Sequence, residues 1–227
     1  MAEKPRECRA RVTAVRRLTA DVLEADLAMI DPPSLVFEAG QWVSVPFGPK
    51  TVRAYSIASS PRGGSTITLS ADVAPGGPGS RWFRALAPGA DVSFKGPLGG
   101  FVLEPGDPRR LLMVAEEIGV VPVRAIAHEL AREGFARPAT LIYWARDPGW
   151  LVYDDDLRAL DRRHTGFAYH PITAADGEAA ASADRLAGDP AGLVAYVAGG
   201  EATIKAVRAV LVARGMERRA VKWEKFW

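Results

Sequence analysis

Hydrophobic and polar positions follow two different rhythms along this chain. In the first half, apolar residues fall into short segments rich in Val, Thr, Phe and Trp, separated by Gly and Pro. Arg9–Arg17, Asp21–Leu27, Gln41–Phe47, Val52–Ile57, Ser65–Ala71 and Asp91–Lys95 read as strands. Thr66-Ile67-Thr68-Leu69-Ser70 alternates residue by residue, the pattern of a strand with one buried face. Ser80–Leu86 reads as the one helix of this half, opening on a serine able to cap free N–H groups. Many short strands with one brief helix predict a closed or nearly closed antiparallel barrel.

In the second half, strand-like runs at Arg110–Ala115, Thr140–Ala145, Phe167–Pro171, Leu193–Ala198 and Ala220–Phe226 alternate with helical segments. The helices are expected at Val121–Arg132, Asp154–Arg163, Glu178–Leu186 and Ala202–Arg214. This spacing predicts a mostly parallel sheet covered by helices. The sequence therefore reads as a two-domain protein, an N-terminal antiparallel β-barrel followed by a C-terminal α/β domain. Glu104-Pro105-Gly106-Asp107-Pro108 lies between the rhythms and sets the expected domains at 1–105 and 106–227. A barrel followed by such a sheet is expected to leave a crevice, faced by the turns at the carboxyl ends of the strands.

Charge narrows the classes of partner. The 29 Lys and Arg against 27 Asp and Glu leave residues 1–107 and residues 108–227 each at +1, which disfavours nucleic acid or an anionic membrane as an obligatory partner. One cysteine, Cys8, excludes an intrachain disulfide, a Cys-rich zinc site and a Cys-ligated iron–sulfur cluster within this chain. His128, His164 and His170 have no clear acidic partner along the sequence, and no metal site is expected. No apolar run approaches 18 residues and Met1–Arg11 has no apolar signal core, so the expectation is a cytoplasmic protein with no transmembrane segment.

Three stretches of the first half carry chemistry. In Val52-Arg53-Ala54-Tyr55-Ser56-Ile57, an extended chain sends Arg53 and Tyr55 to one side and Ser56 to the other. A guanidinium grips a phosphate with two donors, a phenol ring offers a flat face to a heterocycle, and Ser56 is suited to bond a ring nitrogen. The alternative is an edge strand with a core tyrosine. Gly76-Gly77-Pro78-Gly79-Ser80-Arg81 has the composition of an anion-binding loop at a helix amino end, or of an ordinary flexible hairpin loop. Gly96-Pro97-Leu98-Gly99-Gly100 permits a tight reversal that either shapes the floor beneath a ring or is a plain structural turn. In the second half, Ala115-Glu116-Glu117-Ile118-Gly119-Val120-Val121-Pro122 and Ala198-Gly199-Gly200-Glu201 are the strand-to-helix turns expected to face a ligand.

Taken in order, these segments resemble the ferredoxin–NADP⁺ reductase superfamily of FAD-binding oxidoreductases, over nearly the whole chain. The Arg-x-Tyr-Ser signature matches Arg53-Ala54-Tyr55-Ser56, the phosphate loop matches Gly79-Ser80, and the Gly-Pro-x-Gly turn matches Gly96-Pro97-Leu98-Gly99. The resemblance implies that Arg53 and Ser80 bind the FAD pyrophosphate, that Tyr55 packs against the flavin and that Ser56 bonds near its N5. It further implies FAD as cofactor, NAD(P)H as cosubstrate, and a small-molecule, ferric-chelate or redox-protein electron acceptor.

The second half departs from the family pattern. Glu116 and Glu117 stand where relatives have two glycines, leaving Gly119 and Pro122 as the matches, and the usual Cys-Gly-Pro becomes Ala198-Gly199-Gly200. These acids are expected to oppose a dinucleotide's phosphates, as they would in a flavin-binding subunit with impaired nicotinamide binding. The acidic stretch and Gly200-Glu201-Ala202 also share features with siderophore-interacting ferric reductases. Arg146 is placed by the resemblance near the adenosine end of NAD(P), with an ion pair to Asp147 or Asp154 as the alternative. At the carboxyl end, Glu224-Lys225-Phe226 resembles a terminal Glu-x-Phe, making Glu224 a candidate proton or orientation group and Trp227 a candidate cover for the flavin.

Overall fold

The computed structural model describes residues 4–48, 51–61, 64–173 and 178–226 of the chain. Backbone contacts divide it into two units, Met1–Val102 and Leu103–Trp227.

The first unit contains β1 (Arg6–Arg17), β2 (Val22–Asp31), β3 (Trp42–Pro46), β4 (Val52–Ser56), β5 (Thr66–Asp72), α1 (Pro78–Ala85) and β6 (Asp91–Leu98). The strands form one antiparallel ladder in the order β4-β3-β6-β1-β2-β5. Its two ends meet at a narrow seam, where Ile57 bridges Leu69 and the Ala58 N–H donates to the Thr68 carbonyl at 2.8 Å. Closure removes the exposed edge that an open sheet would present. Alternation fills the interior: Cys8, Ala10 and Val12 of β1 are buried with Leu27, Val43, Ile67, Leu69 and Phe94, while Arg9 and Arg11 face outward. On the face of the ladder turned away from the core, Arg16 stands opposite the buried Glu24 and pairs with both it and Asp26 at 2.7 and 2.6 Å. Such cross-strand pairs fix register, because a slip of one residue would turn them inward.

Two local expectations need correction. Strand β2 extends past Leu27 to Asp31, because Ala28 and Met29 still find partners on β1 and the Met29 N–H bonds the Ser65 carbonyl. Helix α1 starts at Pro78 with Gly77 as its N-cap, so Ser80 is the third helical residue and not the cap. Proline has no N–H to lose and its fixed φ suits the first helical position, which moves the start ahead of the serine.

The second unit contains β7 (Arg110–Glu116), α2 (Val120–Arg132), β8 (Ala139–Ala145), α3 (Asp154–Arg163), β9 (Phe167–Thr173), α4 (Glu178–Leu186), β10 (Leu193–Gly199), α5 (Glu201–Ala213) and β11 (Val221–Lys225). All five strands are parallel, in the order β11-β10-β7-β8-β9. Both faces of β7, β8 and β10 are covered, which explains why Leu111–Ala115, Leu141–Ala145 and Leu193–Ala198 are unbroken apolar runs. From β7 the chain builds outward to β8 and β9, then crosses back to lay β10 on the other side of β7. The strand order therefore reverses between β7 and β10, and the turns leaving these two strands share one end of the sheet. Open α/β sheets bind ligands at such a switch point.

Helices α2 and α3 meet through a charged cluster invisible in the linear sequence. Asp156 Oδ2 lies 2.7 Å from His128 Nε2 and accepts from Arg124 Nε at 2.6 Å. The Arg124 guanidinium lies 4.4 Å from the centre of the Tyr153 ring. His128 thus has the acidic partner that its sequence neighbours did not offer. Burial pushes the Asp156 carboxyl up, but the His128 hydrogen bond and the Arg124 charge outweigh it and hold the group at about 2. A carboxyl lowered in the folded state adds stability above its unfolded value, and that stability is lost as pH falls towards the folded value. We expect Asp156→Asn to melt earlier at neutral pH, with the gap to the native chain closing between roughly pH 4 and 2. Thermal scans across that range check it; a gap that does not change with pH would contradict the assignment.

No helix among the described residues is long and apolar enough to cross a membrane.

Candidate functional site

In the first unit the site grows from β4 and the head of α1. Pairing of Val45 with Arg53, Val43 with Tyr55 and Trp42 with Ser56 sets the faces of β4. Tyr55 is 8% exposed and belongs to the barrel core; its ring centre lies 5.5 Å from those of Trp82 and Phe83 on α1. Burial pushes its phenol up to about 12, so the hydroxyl stays neutral and able to donate at any ordinary pH. Arg53 is exposed and donates from Nη1 to its own Val52 carbonyl at 2.8 Å.

Gly79 couples the two elements. A methyl group there would sit 2.7 Å from Tyr55 Oη and 3.1 Å from Arg53 Cγ, so a glycine is what lets the head of α1 lie against this strand. That head has no side-chain cap and no acidic residue in its first turn, and Ser80 is buried within it. An exposed guanidinium thus stands beside an uncapped helix amino end, a combination suited to a phosphate dianion or pyrophosphate. Arg81, the other nearby cation, folds back to donate to the Gly76 carbonyl at 2.8 Å and braces the loop. Ser56 is buried on the opposite face of β4 from Tyr55.

Gly96 differs from expectation. It is a strand residue paired with Arg6, and β6 runs on to Leu98, which pairs with Trp42. A methyl group on Gly96 would fall 2.9 Å from Val43 Cγ1, so close packing of β6 over β3 accounts for this glycine. The reversal begins at Gly99, whose φ of +98° favours glycine and which lies against the Trp42 indole.

In the second unit the two turns at the switch point interlock. Gly119 packs on the Ala198 carbonyl, where a methyl group would come within 2.7 Å of Ala198 C and also meet its O. Glu116, the last residue of β7, is 9% exposed, and its Oε2 accepts the backbone N–H of Gly200 at 2.7 Å. Gly199 makes room for it: a methyl there would sit 2.6 Å from Glu116 Cβ. Pro122 is buried in the first turn of α2.

Glu117 is also buried, with φ of +46°, and its two oxygens take Arg146 Nε at 2.7 Å and Nη2 at 3.2 Å. Arg146 therefore pairs with Glu117 and not with Asp147 or Asp154. Asp147 accepts from its own turn at Gly149, and Asp154 is engaged by Arg158 and the Tyr169 hydroxyl. The cause is register: Glu116 lies beside Trp144, so the residues just beyond each strand meet. Glu224 is half-buried on β11 opposite Ala198, and the Phe226 N–H donates to the Gly199 carbonyl at 3.0 Å, joining the end of the chain to the switch turn. Trp227 lies outside the described residues.

The residues present fit a dinucleotide's pyrophosphate at the head of α1. At the head of α5 the Gly200 N–H is already taken by the Glu116 carboxylate. Sequence reasoning noted these acids as unusual but missed the pairs they form, because both partners lie tens of residues away. Among the described residues, no group of three or more His, Cys, Asp or Glu could hold a metal ion.

A barrel whose strand and helix head present an exposed arginine beside an uncapped amino end, followed by a parallel sheet with a switch point, is the architecture of two-unit dinucleotide oxidoreductases. Residues 9–103 match the family model of the oxidoreductase FAD-binding domain. Ferredoxin--NADP reductase B of Sorangium cellulosum is 38% identical over 156 residues, 67% of this chain and 64% of that protein. Reductase component 1 of terephthalate 1,2-dioxygenase from Comamonas is 31% identical over 166 residues, 69% of this chain and 49% of that protein. Among solved structures, the Amycolatopsis cytochrome P450 reductase GcoB superposes with a TM-score of 0.87 at 26% identity, covering 98% of this chain and 70% of that one. The ferredoxin reductase of carbazole 1,9a-dioxygenase gives 0.85 at 26% identity, covering 100% and 71%. The chain belongs to the ferredoxin–NADP⁺ reductase superfamily. It spans 64% of the Sorangium reductase and about half of the terephthalate component.

Proposed function

We propose that the chain is an FAD-dependent oxidoreductase that takes a hydride from NAD(P)H and passes the electrons on to a redox protein. The observation that carries this reading is Arg53 beside the uncapped head of α1, held there by Gly79. In this reading Arg53 grips the FAD pyrophosphate with two donors while the first-turn N–H groups and Ser80 take its remaining oxygens. Tyr55 fixes the strand against α1 and keeps a neutral hydroxyl beside Gly79. Ser56 and Glu224 are the candidates to bond the ring edge and to hold a proton. A bound flavin supplies the chemistry itself, accepting two electrons as hydride and releasing them singly. The protein's part is to bind, orient and exclude water.

A redox protein is the favoured acceptor because similar chains are named as a ferredoxin–NADP reductase and as reductase components of oxygenases. A flavin-binding subunit with weak nicotinamide binding is the second reading, favoured by Glu116 at the head of α5. Anaerobic titration of the FAD-loaded chain separates them. The first reading predicts bleaching of the flavin by NADH or NADPH, followed by reoxidation that is faster with a ferredoxin than with a ferric chelate or oxygen. Tight FAD binding with no bleaching by either nucleotide selects the second.

A further inference from the structure

The amino end of a helix attracts negative charge, and in a parallel sheet the helix heads at the switch point are where an anionic ligand would sit. At the head of α5 that position is taken by the protein itself. The Glu116 carboxylate bonds the Gly200 N–H at 2.7 Å, is almost fully buried, and lies against a residue, Gly199, that has no side chain to obstruct it. The adjacent Glu117 is also buried and held by Arg146, and Lys225, beside Gly199 on β11, is engaged by Glu201 at 3.5 Å. The first turn of α5 adds a further acid, the exposed Glu201, bonded to Lys205.

We propose that Glu116 is a built-in occupant of the anion seat at the head of α5 and sets nucleotide affinity by charge. A pyrophosphate approaching this turn meets a carboxylate with little water around it to screen the repulsion. The seat therefore disfavours ligands in proportion to their negative charge, while a ligand lacking phosphate loses nothing. This inference rests on the reading of the second unit as a nicotinamide-nucleotide domain. It also differs from a purely structural role, in which Glu116 merely satisfies the Gly200 N–H.

Glu116→Gln tests it, because the amide oxygen keeps an acceptor for Gly200 and removes only the charge. Binding is measured by calorimetry on the FAD-loaded chain with NAD⁺, ADP-ribose and adenosine, which is neutral and carries no phosphate, with exposed Glu217→Gln as a charge-matched control. We expect NAD⁺ and ADP-ribose to bind about tenfold more tightly to E116Q, with adenosine and the control unchanged. Unchanged affinity for the two phosphorylated ligands, with or without a fall in melting temperature, would overturn the proposal. So would an equal gain for adenosine. If the native chain and E116Q both bleach with NADH yet bind ADP-ribose alike, this inference fails and the functional reading stands. If neither bleaches nor binds any of the three ligands, the functional reading fails as well.

Discussion

Arg53→Ala is expected to weaken FAD binding by about 100-fold, the loss of two charge-assisted hydrogen bonds to a phosphate. The arginine is exposed and donates to the Val52 carbonyl of its own strand, so the apo barrel should melt close to the native temperature. Arg53→Lys should recover part of the loss, since it restores charge without the planar fork. Flavin fluorescence titration reads all three chains. Native affinity in the alanine variant would mean that the pyrophosphate is held elsewhere.

The second large effect falls on stability. A methyl group at Gly119 would press on the backbone of Ala198, a residue of β10 that pairs with β7 on one side and β11 on the other. Neither neighbour can yield without breaking ladder hydrogen bonds. Gly119→Ala should therefore cost about 3 kcal/mol and lower the melting of the second unit by about 10 °C. Gly100→Ala is the control: open space surrounds that position, and the change should stay within about 0.5 kcal/mol. Calorimetric melting of both variants decides the matter, and equal melting would show that the two switch turns are not locked together as described.

The residues that announced the fold were those whose partners are near in sequence or whose pattern is periodic. Alternation in Thr66–Ser70 and the apolar runs at Leu111–Ala115 and Leu193–Ala198 report directly on how many faces of a strand are covered. Gly79-Ser80 was legible as a candidate phosphate loop, and Arg53 as a candidate phosphate ligand. Their contact through Gly79 was not, because it is made by closing the barrel and laying α1 over β4. Ser80 was misplaced as a cap since Pro78 starts the helix earlier. Arg146 met Glu117, and His128 met Asp156, across 29 and 28 residues of chain, through strand register in one case and helix packing in the other. Local spacing pointed Arg146 to Asp147 or Asp154 and gave His128 no clear acid, and in both places tertiary structure supplied the partner.

The grip on a pyrophosphate by Arg53 and the head of α1 is the claim on which the redox account depends. Titrating the apo chain with FAD and with riboflavin, which has the same ring and no phosphate, tests it most directly. The account predicts that FAD binds far more tightly than riboflavin and that Arg53→Ala erases most of the difference. Equal binding of the two, or no uptake of FAD, would contradict it.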